Sequence, residues 1–397
     1  MDIKPSIRSN IFMNAHPLGC KKYIEEQVNQ IKTFQPFKGP KNVLIIGGSS
    51  GYGLGSRIAL AFMANANTIN VSFETAPRQN RTGTAGWWNN IYFQQYAKET
   101  GNIHKDFVGD AFSTEMKQNV ADYIQKTVGS VDLVIYSLAA GARKDEATGN
   151  IIKSHIKTIG LPAEGKTIDI ADLSIKDLTI QPATELETEE TVFVMGGSDW
   201  RHWVEYLDQR GVLSPGVKTI SYTYIGGTIT DTIYRGGTLG KAKEDLENQA
   251  KTMNQHLSQK YNGEALISSS KAVVTKASVF IPKMPIYVSC LFEVMTKYGV
   301  HESILEHKYR LYKDMVYGNK RITDHLKRIR LDHLEMDEKI QKETAELMQT
   351  HSDESLFELS GTQKFLKDFH QIHGFQFEGI DYEADVDMES LSLLQPE

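Results

Sequence analysis

The chain has 397 residues, of which 40% are hydrophobic and 24% charged, enough for one large domain or two fused ones with a sizeable core. A formal net charge of -6 with scattered basic residues argues against a nucleic-acid partner, and the lack of any apolar run of spanning length argues against a membrane segment. The opening "MDIKPSIRSNIF" has no leader-peptide pattern, and Cys20 and Cys290 are the only cysteines, which together point to a reducing cytoplasm.

In chain order, His16 and Cys20 in "NAHPLGC" stand without a second ligand cluster and read as structural, so no metal is expected. The first strong unit is "VLIIGGSSGYGLGSRIALAF", a strand at 43–47, a glycine turn and an amphipathic helix. Gly47, Gly51 and Gly53 follow G-x3-G-x-G, in which the glycines permit a tight turn, the approach of a pyrophosphate and close packing of helix on strand. The helix N-terminus then offers free N–H groups to phosphates. A second strand, "TINVSF" at 68–73, ends at Glu74, placed to bind adenosine ribose hydroxyls and to repel an added phosphate, so NADH is the expected cofactor.

Trp87, Trp88, Trp200 and Trp203 read as core more than as pocket lining. "GDAFS" at 109–113 closes the next strand with Asp110 at the adenine rim, and after "VDLVIYS" at 131–137 the backbone of Leu138 and Ala139 would run under the nicotinamide ribose. Residues 143–200 read as an irregular insertion beside the crevice, and a fourth strand, "VKTISYTY", spans 217–224. "YRGGTLGKAK" at 234–243 sets Tyr234 on a loop, makes Thr238 the N-cap of a helix and puts Lys243 in its opening turns. "IPKMPIY" at 281–287 reads as an extended loop over the crevice, "ITDHLKRIRLDHLEMDEKIQKETAELMQ" as the clearest part of a helical end, and "KRIRLDH" within it as a solvated helix face.

This alternation predicts an α/β chain, a Rossmann-type doubly wound parallel sheet with an inserted substrate-side subdomain and a helical C-terminal extension. The expected division is 1–142 and 216–300 for the two halves of the dinucleotide domain, 143–215 for the insertion and 301–397 for the extension. A phenol beside an ammonium suits reduction by hydride, because charge gathering on a carbonyl oxygen is stabilised by an aimed O–H and the ammonium makes that O–H a better acid. The glycine spacing resembles that of the short-chain dehydrogenase/reductase group, in which tyrosine and lysine usually lie four apart; here the spacing is Y-x8-K.

That spacing, with "GGSSGYGLGSRI", "VSFE", "AGWWNN", "GDAFS", "VIYSLA", "VMGGSDW" and "GIDYEADV", resembles the trans-2-enoyl-CoA reductase and enoyl-acyl-carrier-protein reductase family over about residues 3–387. The resemblance implies a cytoplasmic monomer that uses NADH to reduce the C2–C3 double bond of an enoyl-CoA or enoyl-acyl-carrier-protein thioester. It implies Tyr234 as proton donor, Lys243 at the nicotinamide end of NADH and Tyr224 as a substrate-binding residue. It assigns the cofactor to Gly47, Gly48, Ser49, Ser50, Gly51, Tyr52, Phe73, Glu74, Asp110, Ala111, Leu138, Ala139, Val273, Val274 and Thr275, besides Lys243. Two rival readings use the same features: a ketoacyl or hydroxyacyl reductase with Ser221 as an added catalytic group, and a catalytically silent NADH-binding sensor.

Overall fold

The computed structural model describes residues 1–397 apart from the side chain of Phe280. Its centre is a parallel sheet of seven strands: β1 (Asn42–Ile46), β2 (Asn67–Ser72), β3 (His104–Val108), β4 (Val131–Tyr136), β5 (Leu213–Thr223), β6 (Glu264–Ser269) and β7 (Ile329–Arg330). They lie side by side as β3-β2-β1-β4-β5-β6-β7, so the direction of winding reverses between β1 and β4, where a crevice opens at the carboxyl ends of the strands. Register aligns those ends: Ile46 pairs with Val71 on one side and Tyr136 on the other, and Tyr136 with Ser221.

The helices are α1 (Pro17–Ile31), α2 (Gly51–Met63), α3 (Ala85–Ala97), α4 (Thr114–Thr127), α5 (Glu185–Met195), α6 (Ser198–Gln209), α7 (Thr238–Tyr261), α8 (Met284–Lys297), α9 (Ile304–Arg310), α10 (Glu338–Thr350) and α11 (Ser360–Gln371). Strand side chains alternate between faces. Leu44, Ile46, Ile69, Val71 and Val134 pack against α4, α6 and α7, whereas Val43, Ile45, Leu133 and Ile135 pack against α2 and the segment after α9. Burying each such aliphatic side chain contributes roughly 1.5–3 kcal/mol, so both faces must be covered for the sheet to stand.

Several expectations are corrected. Residues 143–200 are not irregular: two antiparallel hairpins, Ala142–Lys144 with Ile151–Lys153 and Ala163–Asp169 with Ser174–Ile180, precede α5. Helix α6 then rejoins the sheet's own helix layer, and the boundary expected at 215 falls inside β5. The C-terminal part is not purely helical, since it supplies β7 and the α9 segment that covers one sheet face.

"KRIRLDH" is a strand and a 3₁₀ turn, not a helix face. Ile329 and Leu331 are fully buried while Arg328 and Arg330 pair with Asp324, Glu247 and Asp332, a period of two that the surrounding charges disguise. Helix α10 starts only at Glu338, behind Asp337, whose carboxylate accepts from the Lys339 and Ile340 amides. Of the loop expected at 281–287, residues from Met284 onward are helical, because Pro285 falls in the first turn of α8, where its missing N–H has no partner to lose.

Helices α8, α10 and α11 and the second hairpin share one apolar cluster with Tyr224 and Tyr287, roofing the carboxyl ends of β5 and β6. No helix among the described residues is long and apolar enough to cross a membrane.

Candidate active site

The glycine turn is built by close approaches. Gly47 has φ +96°, and a Cβ there would lie 2.2 Å from the Ser137 carbonyl oxygen of the neighbouring strand end. A Cβ on Gly53 would lie 2.0 Å from the Gly47 carbonyl oxygen, so the first turn of α2 is pressed on the end of β1. The Gly48 amide donates to Asn70 Oδ1 at 2.8 Å, and Ser50, the N-cap of α2, leaves the helix end without a side-chain cap. Those N–H groups and the positive dipole end form a cradle for a pyrophosphate beside Ser49, Ser50 and Gly51. The Tyr52 side chain is turned into the core, where its hydroxyl donates to the Lys271 carbonyl oxygen at 2.5 Å, so only its backbone belongs to the turn's rim.

The remaining cofactor candidates fall at neighbouring strand ends. Phe73 is 79% exposed, and Glu74 beside it is held in place: Ser49 Oγ donates to its Oε1 at 2.6 Å and Thr84 Oγ1 to its Oε2. Asp110 Oδ1 accepts from the Phe112 amide at 2.9 Å, closing the turn after β3 that carries buried Ala111. Leu138 and Ala139 follow β4, half-buried and exposed respectively. Val273 and Val274 are buried, and Thr275, tied to Ser278 by three hydrogen bonds, brings its methyl to 3.4 Å from where a Gly51 Cβ would be. The candidates thus lie after the carboxyl ends of the strands, and Glu74, Leu138 and Thr275 approach the glycine turn directly.

Tyr224 extends β5 and lies edge-on to Tyr234, with ring centroids 4.7 Å apart at 74°. Tyr234 sits in the loop before α7, as expected, but Thr238 is not the N-cap. Gly237 takes that place, because the Thr238 hydroxyl donates to the His155 carbonyl oxygen at 2.5 Å and pins the helix to the insertion. Lys243 is in the second turn of α7, half-buried.

Among the described residues neither the Tyr234 hydroxyl nor the Lys243 ammonium has a hydrogen bond or ion pair, and none joins the two. Burial pushes the Tyr234 phenol above its ordinary range and lowers Lys243 to about 8, with the nearby Glu247 carboxylate opposing that fall. Glu247 offers Lys243 no direct bond because Arg235 and Arg328 already occupy it.

Sequence reasoning missed Glu335. This fully buried carboxylate accepts from the Tyr224 hydroxyl at 2.9 Å and the Tyr287 hydroxyl at 2.7 Å through Oε1, and from the Ala272 amide at 2.6 Å through Oε2. Burial pushes its pKa up, ahead of these donors and the nearby Lys271 ammonium, which pull it down. Its one sequence signal is the period-two pattern of Ile329 and Leu331, which carries the chain inward just before it.

The tryptophans are core: Trp88, Trp200 and Trp203 are fully buried and donate to Thr82 O, Thr219 Oγ1 and Ala111 O, and Trp87 is 7% exposed. His16 Nδ1 accepts from the Gly19 amide and caps α1.

A family model described as the trans-2-enoyl-CoA reductase catalytic region matches residues 81–317, and one described as the NAD(P)H binding domain of trans-2-enoyl-CoA reductase matches residues 2–79. A third, described as the enoyl reductase FAD binding domain, matches residues 323–386. The described residues there form β7, the Glu335 turn, α10 and α11, and do not repeat the strand, glycine turn and helix of 42–63.

The chain is 45% identical to "Enoyl-[acyl-carrier-protein] reductase [NADH] 2" of Photobacterium profundum, over 99% of this chain and 100% of that protein. It is 43% identical to "Trans-2-enoyl-CoA reductase [NADH]" of Clostridium beijerinckii, over 100% of both. A crystal structure of Clostridium acetobutylicum trans-2-enoyl-CoA reductase in complex with NADH superposes over 100% of both chains with a TM-score of 0.97 at 42% identity. The glycine turn, the strand-end crevice and these full-length matches together place the chain in the trans-2-enoyl-CoA reductase family.

Proposed function

We propose that this protein uses NADH to reduce the C2–C3 double bond of trans-2-enoyl thioesters, giving saturated acyl thioesters. The observation that supports it best is the free hydroxyl of Tyr234, edge-on to Tyr224 at the end of β5, in a sheet whose β1 end carries a dinucleotide cradle. The strand-end residues described above, with Lys243, would hold the dinucleotide, which when bound supplies the hydride for C3. The thioester carbonyl is conjugated with the alkene, so charge collects on its oxygen. Tyr234 donates its O–H to that oxygen and Tyr224 lines the thioester site. The Lys243 ammonium lowers the cost of negative charge on the phenol. Glu74, fixed by Ser49 and Thr84, favours NADH over a cofactor with an added phosphate.

Coenzyme A and acyl carrier protein are both carriers named for relatives, and we propose either as carrier here, acting on a cytoplasmic monomer. The ketoreductase reading loses its added catalytic group, because Ser221 is 3% exposed and donates to the Tyr136 carbonyl oxygen at 3.0 Å. Loss of NADH absorbance with crotonyl-CoA and not with acetoacetyl-CoA is the expected result. The reverse preference supports ketone reduction, and NADH binding with no turnover of either supports a silent sensor.

A further inference from the structure

We infer that Glu335 is a positioning residue that draws the Tyr224 hydroxyl proton away from the crevice, leaving Tyr234 as the free hydroxyl donor of the pair. The inference rests on the reaction proposed above. Its basis is the direction of three hydrogen bonds. Oε2 of Glu335 accepts from the Ala272 amide at 2.6 Å, and a backbone N–H can only donate. Oε1 receives the Tyr224 and Tyr287 hydroxyls at 2.9 and 2.7 Å. Three converging donors and the nearby Lys271 ammonium hold the carboxylate form against burial; in that form the group is acceptor-only, and each phenol has one proton to give, so both protons go to Glu335.

The two phenols are then left in different states. The Tyr287 oxygen is itself satisfied, accepting from Gln341 Nε2 at 2.9 Å, and Gln341 also donates to the Glu335 carbonyl oxygen at 2.9 Å, which fixes the turn. Tyr224 has only oxygen lone pairs left to offer a substrate, and its fixed ring is the surface against which Tyr234 stands edge-on. Among the described residues the Tyr234 hydroxyl has no such acceptor. One carboxylate thus sets both the place of the tyrosine pair and which member can supply a proton, though Glu335 is fully buried and acts only through Tyr224.

Glu335→Gln tests this because it keeps shape and reverses polarity. The glutamine carbonyl must face the Ala272 N–H, so its NH2 faces the phenol oxygens and each phenol must turn its proton elsewhere. With crotonyl-CoA and NADH, kcat/KM for the thioester is expected to fall about tenfold in Glu335→Gln, with NADH affinity within about twofold. Added to Tyr224→Phe, the same change is expected to cost less than about twofold, since the group it acts through is gone. An equal loss in both backgrounds, or no loss in the parent background, overturns the inference. A parent chain inactive on crotonyl-CoA overturns the underlying reaction, a separate outcome that needs no variant. Should Glu335→Gln fail to fold, Tyr224→Phe alone decides: the inference expects a raised KM with kcat within about threefold, and a loss in kcat as large as that of Tyr234→Phe overturns it.

Discussion

Lys243 is a half-buried ammonium near a carboxylate that two arginines already hold, so its charge persists only by tolerance of the site. Its pKa is lowered to about 8 by burial, ahead of the opposing pull of Glu247. The ammonium form therefore dominates below that value and is lost as pH rises through it. If its charge assists Tyr234, kcat is expected to fall above pH about 8, and Lys243→Met is expected to lower kcat and abolish that limb in a kcat–pH profile. At this scale the site was partly legible. Tyr234, Lys243 and the glycines announce themselves by spacing within short windows. Glu335 does not, because its partners Tyr224, Tyr287 and Ala272 lie 111, 48 and 63 positions away and only the fold brings them together.

The element that most directly links sequence to site is the join of β1 to α2. A side chain at Gly53 cannot be accommodated without moving backbone, since the obstruction at 2.0 Å is the Gly47 carbonyl oxygen, not a flexible side chain. Gly53→Ala is expected to weaken NADH binding by about tenfold or more in a fluorescence titration, while Gly141→Ala, with nothing within 4 Å, is expected to stay within about twofold.

The strands of this unit were readable from their apolar runs and the helix from its glycines. Elements elsewhere were misread where local composition and tertiary placement disagree. Charged residues around Ile329 hid a buried strand, two prolines hid the start of α8, and Thr238 has the right chemistry for an N-cap but gives its proton to His155.

Across the whole molecule, the alternation of strands and helices between 43 and 275 was enough to indicate a doubly wound sheet, because continuous apolar strands buried on both faces demand helices on both sides. Which distant segment covers which face was not legible. The residues after 300 supply the seventh strand, one face of cover for β1 and β4, and part of the roof over β5 and β6.

The sheet is also pinned by a buried pair, Arg57 to Asp106 at 2.8 and 3.0 Å, which Asn70 and Gln94 complete; removing one partner of such a pair costs about 3–5 kcal/mol. In this frame Tyr234 stands edge-on to Tyr224, which follows the carboxyl end of β5. The decisive measurement is turnover of crotonyl-CoA by Tyr234→Phe alongside its NADH dissociation constant. A fall in kcat of about a hundredfold or more with NADH affinity nearly unchanged is the expected result, and turnover that survives the loss of that hydroxyl contradicts it.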